Sequence, residues 1–286
     1  MKDSERLFIK SLEDTRATLG LGDDCFVFND YVIASDSFFE DVHFKIKWCN
    51  LYDIIEKAFL VNLSDIYATN ATPVYAMLNI SIPHNFRQIK ELSNIIGSIA
   101  LKHGVRIIGG DTIKDSKLQI SLTLIGKLQK KPLLRWRIKR GDYMAYTSPF
   151  SALTKAKAQK FGKNISALKI ALRYNYVKHN SRFSKPLLYP RMIFEINKIA
   201  NAGMDISDGI FMDLQRLSSK NNVSFRFCKA IFEWFYSPEE YQMLYAISPK
   251  KLTKARNIAK KHRHKLEIFA RAKIGRYTSK KRNWHS

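Results

Sequence analysis

Apolar residues recur along the first half of the chain with two different periods, and the switches between them outline its elements. Residues 25–28, 31–34, 74–82, 105–108 and 118–125 are rich in β-branched and aromatic side chains, several with every second position apolar, and predict strands. Between them, Leu51, Ile54, Ile55, Ala58, Phe59 and Asn62 fall at helical spacing. Ile89, Leu92, Ile95, Ile96, Ile99 and Ala100 repeat that spacing up to a stop at Gly104. Such alternation predicts a layered α/β or α+β domain. A second unit opens at the Gly141-Asp142 turn, with a strand over 143–147, helical patterns over 152–172, 191–201 and 209–219, and strands over 223–227, 244–247 and 266–274. The expected organisation is two domains, 1–136 and 137–286, with no low-complexity linker and no tandem repeat.

The 286 residues, 45% of them hydrophobic, suffice for two cores. Cys25, Cys49 and Cys228 have neither paired spacing nor neighbouring histidines, so no disulfide framework or zinc site is expected. Charges interrupt the apolar residues of the amino terminus, and no stretch reaches the length of a membrane span, so the expected location is the cytoplasm, without a membrane partner. The 49 Lys+Arg against 25 Asp+Glu give a formal charge of +24. A field of that sign attracts nucleotides, phosphate esters and nucleic acid alike. The basic residues lack interleaved aromatics or a nucleic-acid motif, so nucleic acid is not the expected partner. Acids are concentrated toward the amino terminus: none lies between Asp142 and Glu195, and over 249–286 Glu267 alone faces fourteen Lys and Arg.

Against that basic background the aspartates cluster beside small residues. Five groups stand out: Gly22-Asp23-Asp24, Ser35-Asp36-Ser37, Asn62-Leu63-Ser64-Asp65, Gly109-Gly110-Asp111-Thr112 and Asp205-Ile206-Ser207-Asp208-Gly209. One aspartate beside Gly or Ser is most often a turn former or helix cap, and Asp65 and Asp208 are fair caps. Five groups meeting in one place would repel each other unless cations neutralised them. Oxygen ligands without paired Cys or His suit a hard ion, and Mg²⁺ characteristically joins a few carboxylates to substrate phosphates. The pattern therefore points to phosphoryl chemistry. Neither a P-loop, a dinucleotide fingerprint nor the protein-kinase motif set is present. Gly109-Gly110 could bring backbone amides close to a phosphate, although such a pair equally marks a simple turn.

Read in order, GDDCFVF (22–28), ASDSFFEDVHF (34–44), NLSDIYATNATP (62–73), IIGGDT (107–112) with ISLTLIGK (120–127), and MDISDGIFMDL (204–214) resemble thiamine-monophosphate kinase, a family of the aminoimidazole-ribonucleotide-synthetase-like (PurM-like) superfamily. The resemblance implies a two-domain α/β fold with an amino-terminal mixed sheet and a carboxy-terminal α/β domain. It also implies a homodimer whose amino-terminal sheets pair, and an active site between the domains. The implied ligands are ATP, thiamine monophosphate and several Mg²⁺ ions. The implied metal ligands are Asp24, Ser35, Asp36, Asp65, Asp111, Asp205 and Asp208. Gly110, Asp111, Arg135 and Ser207 would contact ATP, and His43 and Glu239 would contact thiamine monophosphate. No residue is assigned a covalent role, because a phosphate monoester is already ionised and nucleophilic near neutral pH.

The chain departs from the family pattern at Ser237-Pro238, where Gly-Gly is usual before the acidic pair, at Ser148-Pro149-Phe150-Ser151, where a glycine-rich segment is expected, and at Ala34, where a hydroxyl is common. Trp284 is available as a stacking aromatic but sits in a basic tail. Two other readings stay open on sequence alone. One is a sibling enzyme with a different acceptor. The other is a basic nucleic-acid-binding protein on an old enzyme fold, using 153–185 and 250–282 as its surface.

Overall fold

The computed structural model describes residues 4–47, 49–148, 183–228 and 239–279. The expected helix over 152–172, most of the basic segment 153–185, residues 149–151, Ser237-Pro238 and Trp284 lie outside them. Six helices and ten strands are described: α1 (Ser4–Asp14), β1 (Phe26–Phe28), β2 (Tyr31–Phe39), α2 (Leu51–Ala68), β3 (Ala71–Pro83), α3 (Ile89–Lys102), β4 (Arg106–Asp115), β5 (Gln119–Leu128), β6 (Tyr143–Ser148), α4 (Pro190–Asn197), β7 (Ala202–Asp205), α5 (Ile210–Asn221), β8 (Val223–Phe227), β9 (Met243–Ile247), α6 (Leu252–Lys261) and β10 (Lys265–Ile274). The strands form two five-stranded sheets, ordered β1-β2-β5-β3-β4 and β7-β9-β6-β10-β8. The α/β expectation holds.

The first sheet is mixed, since β3 and β4 run parallel across the α3 crossover while β2, β5 and β3 are antiparallel. Its inner face presents Val32, Ala34, Phe38, Leu122, Leu124 and Ala76 to α2 and α3. α2 is buried on almost every side, which is why its pattern carries more than one apolar stripe. Asn50 caps it by accepting from the Asp53 N–H at 2.7 Å. The second sheet is antiparallel and covered on both faces. Met144, Tyr146, Leu244 and Ala246 pack on α5, whereas Ala145, Met243, Tyr245 and Ile247 join α4, α6 and α2 in the core that continues under the first sheet. α2 thereby lies between the two sheets.

Two differences from the sequence pattern affect the site. The strand expected over 105–108 extends through the Gly-Gly-Asp-Thr motif to Asp115, pairing in parallel with β3 along its whole length. At Gly110 the backbone has φ 140°, and a Cβ there would stand 1.8 Å from the Leu78 carbonyl oxygen, so only glycine fits this approach of β4 to β3. In addition, β7, α1 and α6 arise where no element was predicted. β7 is only four residues long, and α6 buries just Ala255 and Ala259.

Candidate active site

Three elements that are distant in sequence deliver carboxylates to one point. Asp24 ends the loop before β1, Asp65 lies in the last turn of α2, and Asp205 closes β7. Their oxygens lie within 4.8 Å of one another. They face a cleft of about 630 Å³ whose lining also includes Ser35, Asp36, His43, Arg135, Ser207, Asp208, Arg216, Lys220 and Tyr241. Neighbours fix the geometry. Ser64, on the turn of α2 that carries Asp65, donates to Asp205 Oδ2 at 2.7 Å. Asn62 accepts from the Asp36 N–H at 3.0 Å while donating to the Ala58 carbonyl at 3.0 Å, which ties β2 to α2.

Arg135 stands against the cluster. Its Nε donates to Asp24 Oδ1 at 2.8 Å, a terminal nitrogen reaches the same oxygen, and its backbone N–H donates to Asp23 Oδ1 at 2.6 Å. One guanidinium does not balance three converging acids. Burial, reinforced by Asp205 and opposed by Arg135, pushes the Asp24 carboxyl up to about 7. Burial followed by repulsion from Asp205, Asp36 and Asp24 pushes Asp65 well above the usual carboxylate range. Burial also raises Asp205, against the Ser64 hydrogen bond and Arg135. A desolvated acidic site of this kind, made of oxygen donors with no Cys or His among its three converging ligands, fits a divalent hard cation.

The other residues singled out from sequence fall into three positions. Ser35, Asp36, His43, Ser207 and Asp208 line the same cleft as the triad and Arg135. The Ser35 hydroxyl lies 2.9 Å from that of Thr123, and His43 Nδ1 accepts from the Phe39 N–H at 3.0 Å, orienting an imidazole stacked on Phe38. Glu239 is buried just behind the cleft, where its carboxylate accepts from Lys57 at 2.6 Å, and its N–H donates to the Ser207 carbonyl at 2.7 Å. Gly110 and Asp111 are not brought to the cluster. Asp111 shares a register row with Ser37, Ser121 and Asn79. Three strand spacings of about 4.8 Å place it roughly 14 Å from Ser37 along that row. It borders a smaller hollow with Asn79, Ile113 and Ser121 on the outer face of the sheet.

Sequence reasoning gave Asp23 no role of its own and passed over Arg216, Lys220, Tyr241 and the Lys57 partner of Glu239. Arg216 follows Asp213 by one helical turn, and an i, i+3 acid–base pair beside the Asp205–Gly209 motif was the available signal. The Lys57–Glu239 pair spans 182 positions and leaves no local trace.

Two five-stranded sheets that meet at an acidic cleft, into which a loop, α2 and β7 deliver aspartates, define the class. Residues 22–128 match the AIR synthase related protein, N-terminal domain model. The chain is 30% identical over 275 residues to thiamine-monophosphate kinase of Buchnera aphidicola subsp. Acyrthosiphon pisum, covering 87% of this chain and 83% of that one. It belongs to the thiamine-monophosphate kinase family, a family of phosphotransferases. The fold is shared with AaThiL complexed with AMPPCP and TMP (TM-score 0.74, 18% identity, covering 97% of this chain and 95% of that one). It is also shared with a chain of the HypE-HypF complex (TM-score 0.70, 15% identity, covering 96% and 98%). The solved structures therefore show a shared fold, and the sequence relatives show the family.

Proposed function

We propose that this chain transfers the γ-phosphoryl group of ATP to thiamine monophosphate, giving thiamine diphosphate and ADP. The observation that carries the reading is the convergence of Asp24, Asp65 and Asp205 in one cleft, in a chain whose relatives are thiamine-monophosphate kinases. The ATP analogue and TMP held together by AaThiL support the same pair of ligands here. Asp24, Asp65 and Asp205 would hold Mg²⁺, with Asp36, Ser35 and Asp208 alongside them in the cleft. When bound, Mg²⁺ neutralises phosphate oxygens and favours in-line displacement.

The residues of the chain then act by position. Arg135, which pairs with Asp24 here, would offer its guanidinium to the nucleotide phosphates if Asp24 instead held Mg²⁺. Ser207 lies at the turn into α5 and contacts the same nucleotide. His43 and Phe38 form an aromatic wall for the thiamine end of the acceptor. An ionised oxygen of the acceptor phosphate bonds to the γ-phosphorus as the bond to the β-bridging oxygen breaks, so no protein base and no phosphoenzyme is required. ATP made chiral at the γ-phosphorus by isotopes and sulfur tests this step. The expected result is thiamine diphosphate with inverted configuration. Retention would mean two displacements through a covalent intermediate.

Homodimer formation through the amino-terminal sheet is part of the proposal. Among the described residues no helix covers the outer face of that sheet, and Phe26, Phe28, Tyr75 and Met77 stand 37–43% exposed on it. Asp111 and its hollow lie on that face, so pairing of the sheets would bring this motif into the interface. A cytoplasmic location is supported by three free cysteines and by the absence, among the described residues, of a helix long and apolar enough to cross a membrane.

A further inference from the structure

Asp208 belongs to the Asp-Ile-Ser-Asp motif, yet its carboxylate already has a cation against it. Arg216, on the first turns of α5, reaches Asp208 with Nη2 and donates from Nη1 to Asp213 Oδ1 at 2.6 Å. The two ends of this bridge differ. Both carboxylates are buried with a second oxygen sealed from solvent, and Asp213, which does not line the cleft, serves as the anchor. Asp208 lines the cleft, and the Arg216 side chain, 31% exposed, lines it beside Asp208. Ser219 and Lys220 follow on the same helical face and also line the cleft, and Lys220 donates to the Leu21 carbonyl at 2.8 Å. α5 thus supplies a cationic wall opposite the acidic floor.

We propose that Arg216 is a nucleotide-binding residue that exchanges partners. In the nucleotide-free protein its outer nitrogen substitutes for metal on Asp208. When Mg²⁺ and a polyphosphate enter, that nitrogen turns to a phosphate oxygen while Nη1 stays on Asp213. A guanidinium suits the exchange because its planar fork can hold one carboxylate with one edge and offer the other edge to a second anion. No bond is made or broken; hydrogen-bond partners alone change. The inference rests on the reading of the cleft as an ATP site, and not on the identity of the acceptor.

Arg216→Gln, with AMPPCP and Mg²⁺ titrated separately by calorimetry, tests it. Loss of a charge-assisted contact to phosphate should weaken AMPPCP binding in saturating Mg²⁺ by about tenfold. Freeing Asp208 of its guanidinium should strengthen Mg²⁺ binding to the nucleotide-free protein by about threefold, on the scale of a partly exposed ion pair. A purely structural role would weaken both together. Unchanged AMPPCP affinity, or a parallel loss of both affinities, overturns the proposal. Arg216→Lys keeps the charge but cannot bridge both carboxylates, and should give the same opposite shifts with a smaller loss for AMPPCP. It provides the readout if the glutamine variant does not fold. A wild-type protein that binds AMPPCP but makes no thiamine diphosphate would reject the acceptor assignment while leaving this test intact.

Discussion

Replacing Asp65 with asparagine lowers turnover by on the order of 10³-fold and, in the same protein without metal, raises stability at neutral pH. The two effects share one cause. Asp65, Asp24 and Asp205 lie within 4.8 Å of one another, and Asp65 is charged most readily when a cation is present. Asparagine is close to isosteric and keeps an oxygen at the same place, but it has no charge to offer a metal. Without metal, removal of one of three crowded acids relieves repulsion. The pH dependence has a definite sign. These carboxyls are raised in the folded state above their unfolded values, so folding takes up protons and wild-type stability falls as pH rises from the ordinary carboxylate range. For Asp24 that window closes at about 7. The advantage of Asp65→Asn is therefore largest at pH 7 and above and shrinks toward pH 4. Chemical denaturation in the presence of a chelator at several pH values, beside a steady-state assay, measures both halves. A variant with full activity rules out Asp65 as a metal ligand.

The second large effect is on stability. Glu239→Gln is expected to cost about 3–5 kcal/mol, because it leaves the Lys57 ammonium buried without its counter-charge. Both side chains are only 4% exposed and lie 2.6 Å apart, and the ammonium stands 3.4 Å from the centre of the Phe183 ring. The ring face helps the cation but does not replace a carboxylate. The pair joins α2 to the segment after residue 238, so its loss also loosens the turn that holds Ser207 through the Glu239 N–H. Adding Lys57→Met to Glu239→Gln removes the stranded charge and should recover a large part of the lost stability. Urea unfolding of the two single variants and the double variant closes the cycle. A single variant as stable as the wild type would show that the pair makes no net contribution.

Much of this arrangement was legible in the amino-acid sequence wherever local pattern and tertiary environment agree. The strands of the first sheet and both of its covering helices follow from periodicity, because each buries a definite face. The aspartates could be read because Asp24, Asp36, Asp65 and Asp205 are rare acids in a basic chain, set beside small residues at the ends of elements or on an inner face. α6 was not visible, since it buries only two alanines fully, and Leu252 and Ile258 pack beside them half-buried in a strongly basic segment, too weak a stripe to register as a period. β7 was too short to show alternation. Strand order was the larger gap. Periodicity identifies β4 but does not place it at the edge, and only the pairing of β4 with β3 separates Asp111 from the cluster that its motif resembles. Long-range ion pairs were hidden for a similar reason. Lys57 reads as one more polar position on α2 until folding seats it against Glu239, and Arg216 reads as a surface base until β7 brings Asp208 over it.

The central claim is tested most directly by incubating the protein with ATP and thiamine monophosphate, with Mg²⁺ present and then removed by chelation, and following both products. The account predicts thiamine diphosphate and ADP in equal amounts, with both lost when the metal is removed. Mg²⁺-dependent binding of ATP with no thiamine diphosphate formed would contradict it and assign the cleft to another acceptor.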